Sequence, residues 1–525
     1  MHTIVAAWRD GISLWTMFCR IPTSPATYGL SLLAGLALLS VAIYFTPSSK
    51  TPFSTYGPMG KPSTTRKRFG YDRTPVTYLR NAVLGTTSTI FFLDIVLARH
   101  KSFFSIVHFE VAEATVGMYG IFRVWETCFA GMIDGIGLPC WECLPRSGVG
   151  LERTRQDGNS TRLKDGSIST HRRDRTKYTF DLLTSVRGVS WINDREFSIL
   201  SLRTERDRSK PPIPLSLFLW QRFIHLVLCL VLADITDALN KSRHWTDPQD
   251  VVSAIVAGSS KREVAILESS YRYPITSLPW YQQPPFVLSV CVQTQLGLEV
   301  FYTPLAMLCV GLPHLFPSVR LNINSNAFLP LFHNPISLHT RTVAGFWSAW
   351  HHIFKNSFQR LVDPLVYLFG IRDTPKHLKR VLRLVLTFTF SAILHIVLMH
   401  RAQRFALRPY SELGGHDPVL GHRIRGAIWT APWADLGIIL FFPSQAFAIL
   451  FERSIILPFV SWSNRRIHPR SSVVLLRLWT YCWLFYSGRW WSDVWVRCGF
   501  WAPQARAVPI SIVRGVWKGD WWVEG

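Results

Sequence analysis

Signatures of several large enzyme classes are missing from this chain. There is no nucleophile elbow of the G-x-S-x-G kind, which a Ser-His-Asp hydrolase would need, and no P-loop. The histidines form no series of short boxes such as a di-iron membrane oxidase uses. His395 and His400 have no counterpart to make the axial pairs of a haem protein. Cysteine is sparse, nine residues without regular spacing, and an odd, scattered set is not a disulfide framework. Cys140 and Cys143 make one isolated C-x-x-C, two ligands short of a structural zinc, so no metal is expected. Acidic residues are the scarcer charge, 33 against 57 Lys and Arg, for a formal net charge of +24. That balance could suit nucleic acid. However, the basic residues lie mostly between apolar runs, as in the cytoplasmic loops of membrane proteins, and no RNA-binding or helix-turn-helix signature accompanies them. The opening MHTIVAAWRDGISLW lacks a basic n-region and an A-x-A site, so the first membrane segment is expected to serve as the signal.

What is abundant is apolar and aromatic. The chain is 48% hydrophobic and 14% aromatic with a mean hydropathy of +0.16, and its 22 tryptophans suit bilayer interfaces. This predicts an all-α, polytopic membrane protein with roughly seven to nine transmembrane helices. Candidate segments are Tyr28–Thr46, the weaker Val83–Ala98 with Asp94 inside it, Pro214–Leu239, 286–315, 375–402 and Val473–Ser487. Residues 111–137 are broken by Glu113, Arg123 and Glu126 and read as interfacial or buried. Residues 427–459 are too long for one span, and Pro443 predicts two half-spans or a re-entrant pair. Between them, 144–177 is polar, basic and aperiodic, and reads as a disordered loop. It separates an N-terminal membrane region, 1–143, from a second one, 178–525. Asn159 and Asn240 open N-x-S/T sequons. No internal repeat is visible.

The chain is organised around PKHLKRVLRLVLTFTFSAILHIVLMHRA, residues 375–402. Thr374 and Pro375 form a helix start. Leu384 to Met399 contains no fixed charge, yet His395 lies deep within it. Counting back in fours gives Ser391, Thr387 and Arg383 on one slowly drifting face. A polar stripe at membrane depth points to a bundle interior or a wet cavity. One reading makes His395 a structural histidine tied to a neighbouring helix. The other makes it a general base, its tautomer held by Ser391 one turn away. Upstream, GFWSAWHHIFKNSFQRLVDPLVYLFG is amphipathic, with Phe346, Trp347, Trp350, Ile353, Phe354, Phe358 and Leu361 on its apolar face, and is predicted to lie at the interface.

F-W-S-A-W-H-H (346–352) followed by a membrane helix carrying A-I-L-H (392–395) resembles the wax synthase-like family of membrane-bound O-acyltransferases. R-G-V-S-W (187–191), F-F-P-S-Q-A-F-A-I-L-F-E (441–452) and the tail G-R-W-W-S-D-V-W-V-R-C-G-F-W (488–501) are similar to further stretches of that family, in the same order. The fungal branch of the family implies transfer of an acetyl group from acetyl-CoA, a co-substrate with no bound cofactor, to a hydroxyl of a terpenoid or meroterpenoid metabolite. It also implies a multi-pass protein of the endoplasmic reticulum. His395 would be the general base. The family's second polar position falls on His352 when aligned from Phe346 and on His351 when aligned from the W-H pair, so both are carried as candidates. With the Trp350 indole they would stabilise an oxyanion, and Trp347 would support them. Lys379, Arg380 and Arg383 either contact the phosphates of coenzyme A or are topology signals. Alternatives are a long-chain acyl-CoA:alcohol transferase making wax esters and a non-catalytic transporter, whose paired halves this chain lacks.

Overall fold

The structure, a computed structural model, describes residues 25–45, 75–97, 107–129, 213–242, 278–315, 325–328, 330–332, 340–350, 375–413, 432–464, 469–498 and 510–519, with isolated positions between them. Every element named among these residues is helical, and the architecture is that of an all-α membrane protein. The basic loop 144–177, R-G-V-S-W, Cys140, Cys143, Asn159, His351 and His352 lie outside the described residues.

Helix α1 (Pro25–Phe45), α2 (Pro75–Leu97) and α3 (Val107–Val124, continued by a π-helical turn Trp125–Phe129) pack together around their own apolar cluster of Leu39, Ile43, Phe92 and Ile95. Helix α2 starts eight residues before the apolar run that predicted it, at a proline in its first turn, where a missing N–H costs nothing. Asp94 inside α2 accepts a hydrogen bond from Ser31 of α1 at 2.6 Å. Gly117 and Gly120 let α3 lie close on α2, since a Cβ at 120 would stand 2.4 Å from the Phe92 ring.

Of the charges that broke 111–137, Arg123 and Glu126 are buried and paired with each other, and Glu113 is half-buried beside Arg401. Arg123 donates to Glu126 at 2.5 Å and to the Tyr119 hydroxyl at 2.8 Å. Of the two predicted placements, interfacial or buried, α3 takes the buried one.

Helix α4 (Leu215–Ser242) packs along α5 (Gln283–Leu315) and turns an apolar face outward, with Leu217, Trp220, Phe223 and Leu228 exposed. Asn240 lies on α4, where its amide donates to Gln293 at 3.0 Å and its carbonyl oxygen accepts from Ser289. Packed in this way, the second sequon is unsuited to carry a glycan.

Helix α6 (Val343–Ala349) is short. The backbone leaves helical geometry at Trp350 (φ −68°, ψ 165°), so the amphipathic stretch is not one continuous helix from Phe346 to Leu361. Its apolar residues Ile353, Phe354 and Phe358 are buried in the main core, with Phe354 and Phe358 both edge-on to Phe122 of α3.

Helix α7 (Lys376–Leu413) begins immediately after Pro375, whose carbonyl accepts from Leu378 and Lys379. It packs against α8 (Pro432–Phe451), α3 and α10 (Pro469–Arg497). Two expectations are corrected here. Residues 427–459 do not form half-spans: α8 runs through Pro443 and continues by a π turn (Glu452–Ile456) into α9 (Leu457–Asn464). Neighbouring helices tolerate the single N–H that proline removes. Likewise, the last segment does not stop at Ser487, because α10 is one helix from Pro469 through Trp490, Trp491 and Trp495 to Arg497.

Among the described residues, Leu215–Asn240, Gln283–Leu312, His377–Ala402 and Leu436–Trp462 are long and apolar enough to cross a membrane, and Leu30–Tyr44 is a shorter apolar helix. Finally, α11 (Ile512–Lys518) returns to α4: Val513 N–H donates to Asp234 at 3.0 Å, and Arg514 meets Asp237 at 3.3 Å.

Candidate active site

The side chain of His395 is enclosed by two helices distant in sequence. Its ring lies face to face with Phe442 of α8, centroids 4.2 Å apart at 27°, and edge-on to Trp491 of α10 at 5.3 Å and 87°. Its Nδ1 lies 2.6 Å from the carbonyl oxygen of Ser391. A carbonyl oxygen can only accept, so Nδ1 carries the hydrogen and the neutral ring keeps its lone pair on Nε2. The Ser391 hydroxyl, expected to orient the ring, stands at 3.5 Å from the same nitrogen. Thr387, the next group of the stripe, bonds its hydroxyl to the Arg383 carbonyl at 2.7 Å.

Helix α6 brings Trp347 to the same chamber. The Trp347 ring is edge-on to Phe388 of α7 at 5.2 Å and lies 6.1 Å from Phe441 and 6.3 Å from Phe442, the ring that stacks on His395. Trp350, at the end of α6, sits 5.2 Å from Phe346, 6.0 Å from Trp347 and edge-on to Phe332 at 5.0 Å.

A seven-residue helix has little stability of its own. This one is held at its start by three acceptors. Thr342 caps it by accepting from Gly345 N–H at 2.9 Å, and the Glu452 carboxylate accepts from Val343 N–H at 2.6 Å and Ala344 N–H at 3.3 Å. Glu452 comes from the π turn that follows α8 and is fully buried.

Gln445, seven residues earlier on α8, accepts from the indole N–H of Trp347 at 3.2 Å and of Trp483 at 3.1 Å.

Lys379, Arg380 and Arg383 are on α7 with His395 but 12 to 16 positions before it, about 18–24 Å along the axis. They flank the chamber's helix and are not part of its wall. On the other side of His395, the buried Arg401 guanidinium meets Glu110 of α3 at 2.7 Å and Glu113 at 3.5 Å, pinning α7 to α3. Among the described residues no group of three or more His, Cys, Asp or Glu is placed to hold a metal ion.

The structure thus places Ser391 against His395, Trp347 against Phe442, the ring stacked on His395, and Trp350 one ring further out against Trp347. It adds Phe442, Trp491, Gln445 and Glu452, which the sequence shows only as members of apolar or tryptophan-rich stretches. Nothing local distinguishes them. The one available signal is that Gln445 and Glu452 are, with Ser444, the polar residues of the otherwise apolar 441–452.

What the site can do follows from these contacts. It offers one nitrogen base of fixed tautomer in an aromatic chamber, the arrangement required to take a proton from a hydroxyl in a water-poor setting.

Comparison with known proteins gives one match: residues 328–409 fit the model of the membrane bound O-acyl transferase family. No curated protein matches the chain, and no solved structure does. The matched segment contains all of α6 and most of α7, hence Trp347, Trp350, Ser391 and His395, while the partners on α8 and α10 lie beyond it. The segment that carries α6 and His395 is thus similar to the membrane bound O-acyl transferase family.

Proposed function

We propose that this protein is an acetyl-CoA-dependent O-acetyltransferase that esterifies a hydroxyl group of a terpenoid-type metabolite within the membrane of the endoplasmic reticulum. The observation that carries the reading is His395, whose Nδ1 hydrogen is committed to a main-chain carbonyl inside the family-matched membrane helix. Its Nε2 is thereby the basic atom. The apolar, aromatic walls built by Phe388, Phe441, Phe442 and Trp491 favour a largely hydrocarbon acceptor over a sugar or a peptide.

In this mechanism the acceptor hydroxyl attacks the thioester carbonyl carbon of the acyl-CoA while His395 Nε2 takes the hydroxyl proton. A C–O bond forms, and negative charge collects on the former carbonyl oxygen. Donors are needed there, and the Trp350 indole with His351 or His352 supplies them. The Trp347 N–H is already engaged by Gln445, so Trp347 acts as a wall and not as a donor. Collapse of the tetrahedral intermediate breaks the C–S bond, and the departing coenzyme A thiolate receives the proton from the His395 imidazolium. The ester and free coenzyme A leave, and His395 is neutral again. Lys379, Arg380 and Arg383 would meet the nucleotide end of coenzyme A, remote from the reacting carbon.

Membranes containing the protein, incubated with labelled acetyl-CoA or palmitoyl-CoA and a panel of terpenoid and fatty alcohols, test the proposal. Labelled ester is expected from acetyl-CoA and a terpenoid alcohol. Ester from palmitoyl-CoA and fatty alcohols alone would replace the acetyl assignment with wax ester synthesis. No ester from any pair would overturn both.

A further inference from the structure

We infer that Gln445 is a positioning residue of the transfer site, fixing the Trp347 ring against the His395 chamber through an acceptor it shares with Trp483. The inference rests on the acyltransferase reading above and assigns a role to a residue outside the family-matched segment.

Gln445 is fully buried, and its amide is used completely. The oxygen accepts from Trp347 Nε1 at 3.2 Å and Trp483 Nε1 at 3.1 Å. The nitrogen donates to the Phe441 carbonyl at 3.1 Å and the Ser487 hydroxyl at 3.0 Å. An indole only donates and a carbonyl only accepts, so the amide has one permitted orientation. Ser487 in turn donates to the Trp483 carbonyl at 2.8 Å, leaving its lone pairs for Gln445. Turning the amide over would set donors against donors and acceptor against acceptor. Turning Trp347 would leave an indole N–H in an apolar chamber with its acceptor lost.

The consequence is positional. Trp347 is held with its edge on Phe388 and its ring beside Phe441 and Phe442, and Phe442 is the ring stacked on His395. Glu452, two turns further on in the π turn that continues α8, grips the backbone at the start of the same short helix. Helix α6 is therefore attached to α8 twice, once through its main chain and once through the indole that reaches the chamber. The side-chain attachment decides where the aromatic wall stands relative to the base.

The test is a double-mutant cycle on acyl transfer, with activity expressed per folded molecule. Gln445→Met keeps length and removes the acceptor. It should lower kcat by roughly 10- to 100-fold, the scale of a small misplacement near a reacting centre, with a smaller change in the KM for acyl-CoA. Gln445→Glu retains the acceptor oxygen for both indoles but sets its second oxygen against the Phe441 carbonyl, so it should recover part of the loss, which also covers the case in which the Met variant folds poorly. Trp347→Phe keeps a ring but needs no acceptor, so in that background Gln445→Met should cost less than about threefold. In a Trp483→Phe background the full loss should remain. Equal losses with and without the Trp347 indole, or a loss abolished by Trp483→Phe, would overturn the positioning role while leaving the acyltransferase reading intact. A wild type that transfers no acyl group removes that reading and the positioning role together, before any substitution is compared.

Discussion

Consider the replacement of Glu452 by alanine. Its carboxylate is the acceptor for two main-chain N–H groups at the head of α6, Val343 at 2.6 Å and Ala344 at 3.3 Å. Val343 is fully buried and Ala344 only partly so. A buried amide deprived of its acceptor costs about 1–3 kcal/mol, and a partly exposed one less, which puts the local penalty near 2–4 kcal/mol. At 1.4 kcal/mol per factor of ten, opening of this helix should become about 30- to 1,000-fold more frequent. Amide hydrogen exchange over peptides covering 340–350, measured on detergent-solubilised protein, reads that opening directly. Glu452→Gln keeps one oxygen acceptor and should raise exchange only about tenfold, the worth of one hydrogen bond to a charged group. Acyl transfer should fall in the same order. Wild-type exchange in Glu452→Ala, or equal exchange in the Ala and Gln variants, would refute the argument that this carboxylate holds the helix.

Other expectations bear on the same assembly. His395→Ala should reduce transfer by roughly 10²–10⁴-fold with insertion and expression unchanged. A variant with less folded protein but normal turnover per molecule, restored by His395→Gln, would make the residue structural instead. Arg401→Met should destabilise the protein by about 3–5 kcal/mol, because it strands the Glu110 and Glu113 carboxylates, and a thermal midpoint equal to wild type would contradict the buried pairing. The basic stretch 144–177 should face the cytosol, so Asn159 should carry no glycan. A glycosidase-sensitive shift abolished by Asn159→Gln would reverse the orientation.

His395 was legible in the sequence because a single ionisable group in an uncharged run has few explanations. The helix start at Pro375 was legible for a similarly local reason. The partners of His395 were not: Phe442 and Trp491 are ordinary aromatic residues of apolar helices, and only the packing of α8 and α10 against α7 selects them. Local rules also misled. Pro443 argued for a broken span, yet the irregular turn falls at Glu452–Ile456, where the carboxylate it presents has work to do at α6. Glu113 looked like an interruption because its counter-charge, Arg401, lies on another helix, whereas Arg123 and Glu126 pair locally, three residues apart, a spacing the sequence itself displays.

The contact that sets the proton on His395 has a consequence for variation. The acceptor is the main-chain oxygen of Ser391, which exists whatever side chain occupies that position. Every small residue compatible with a continuing helix at 391 preserves the tautomer, so Ser391→Ala and Ser391→Cys should be nearly silent. Proline is the exception, since it disrupts the turn that aims the carbonyl. The state of the base is thus inherited from helical geometry, and what position 391 contributes to it is its place in the helix more than its side chain.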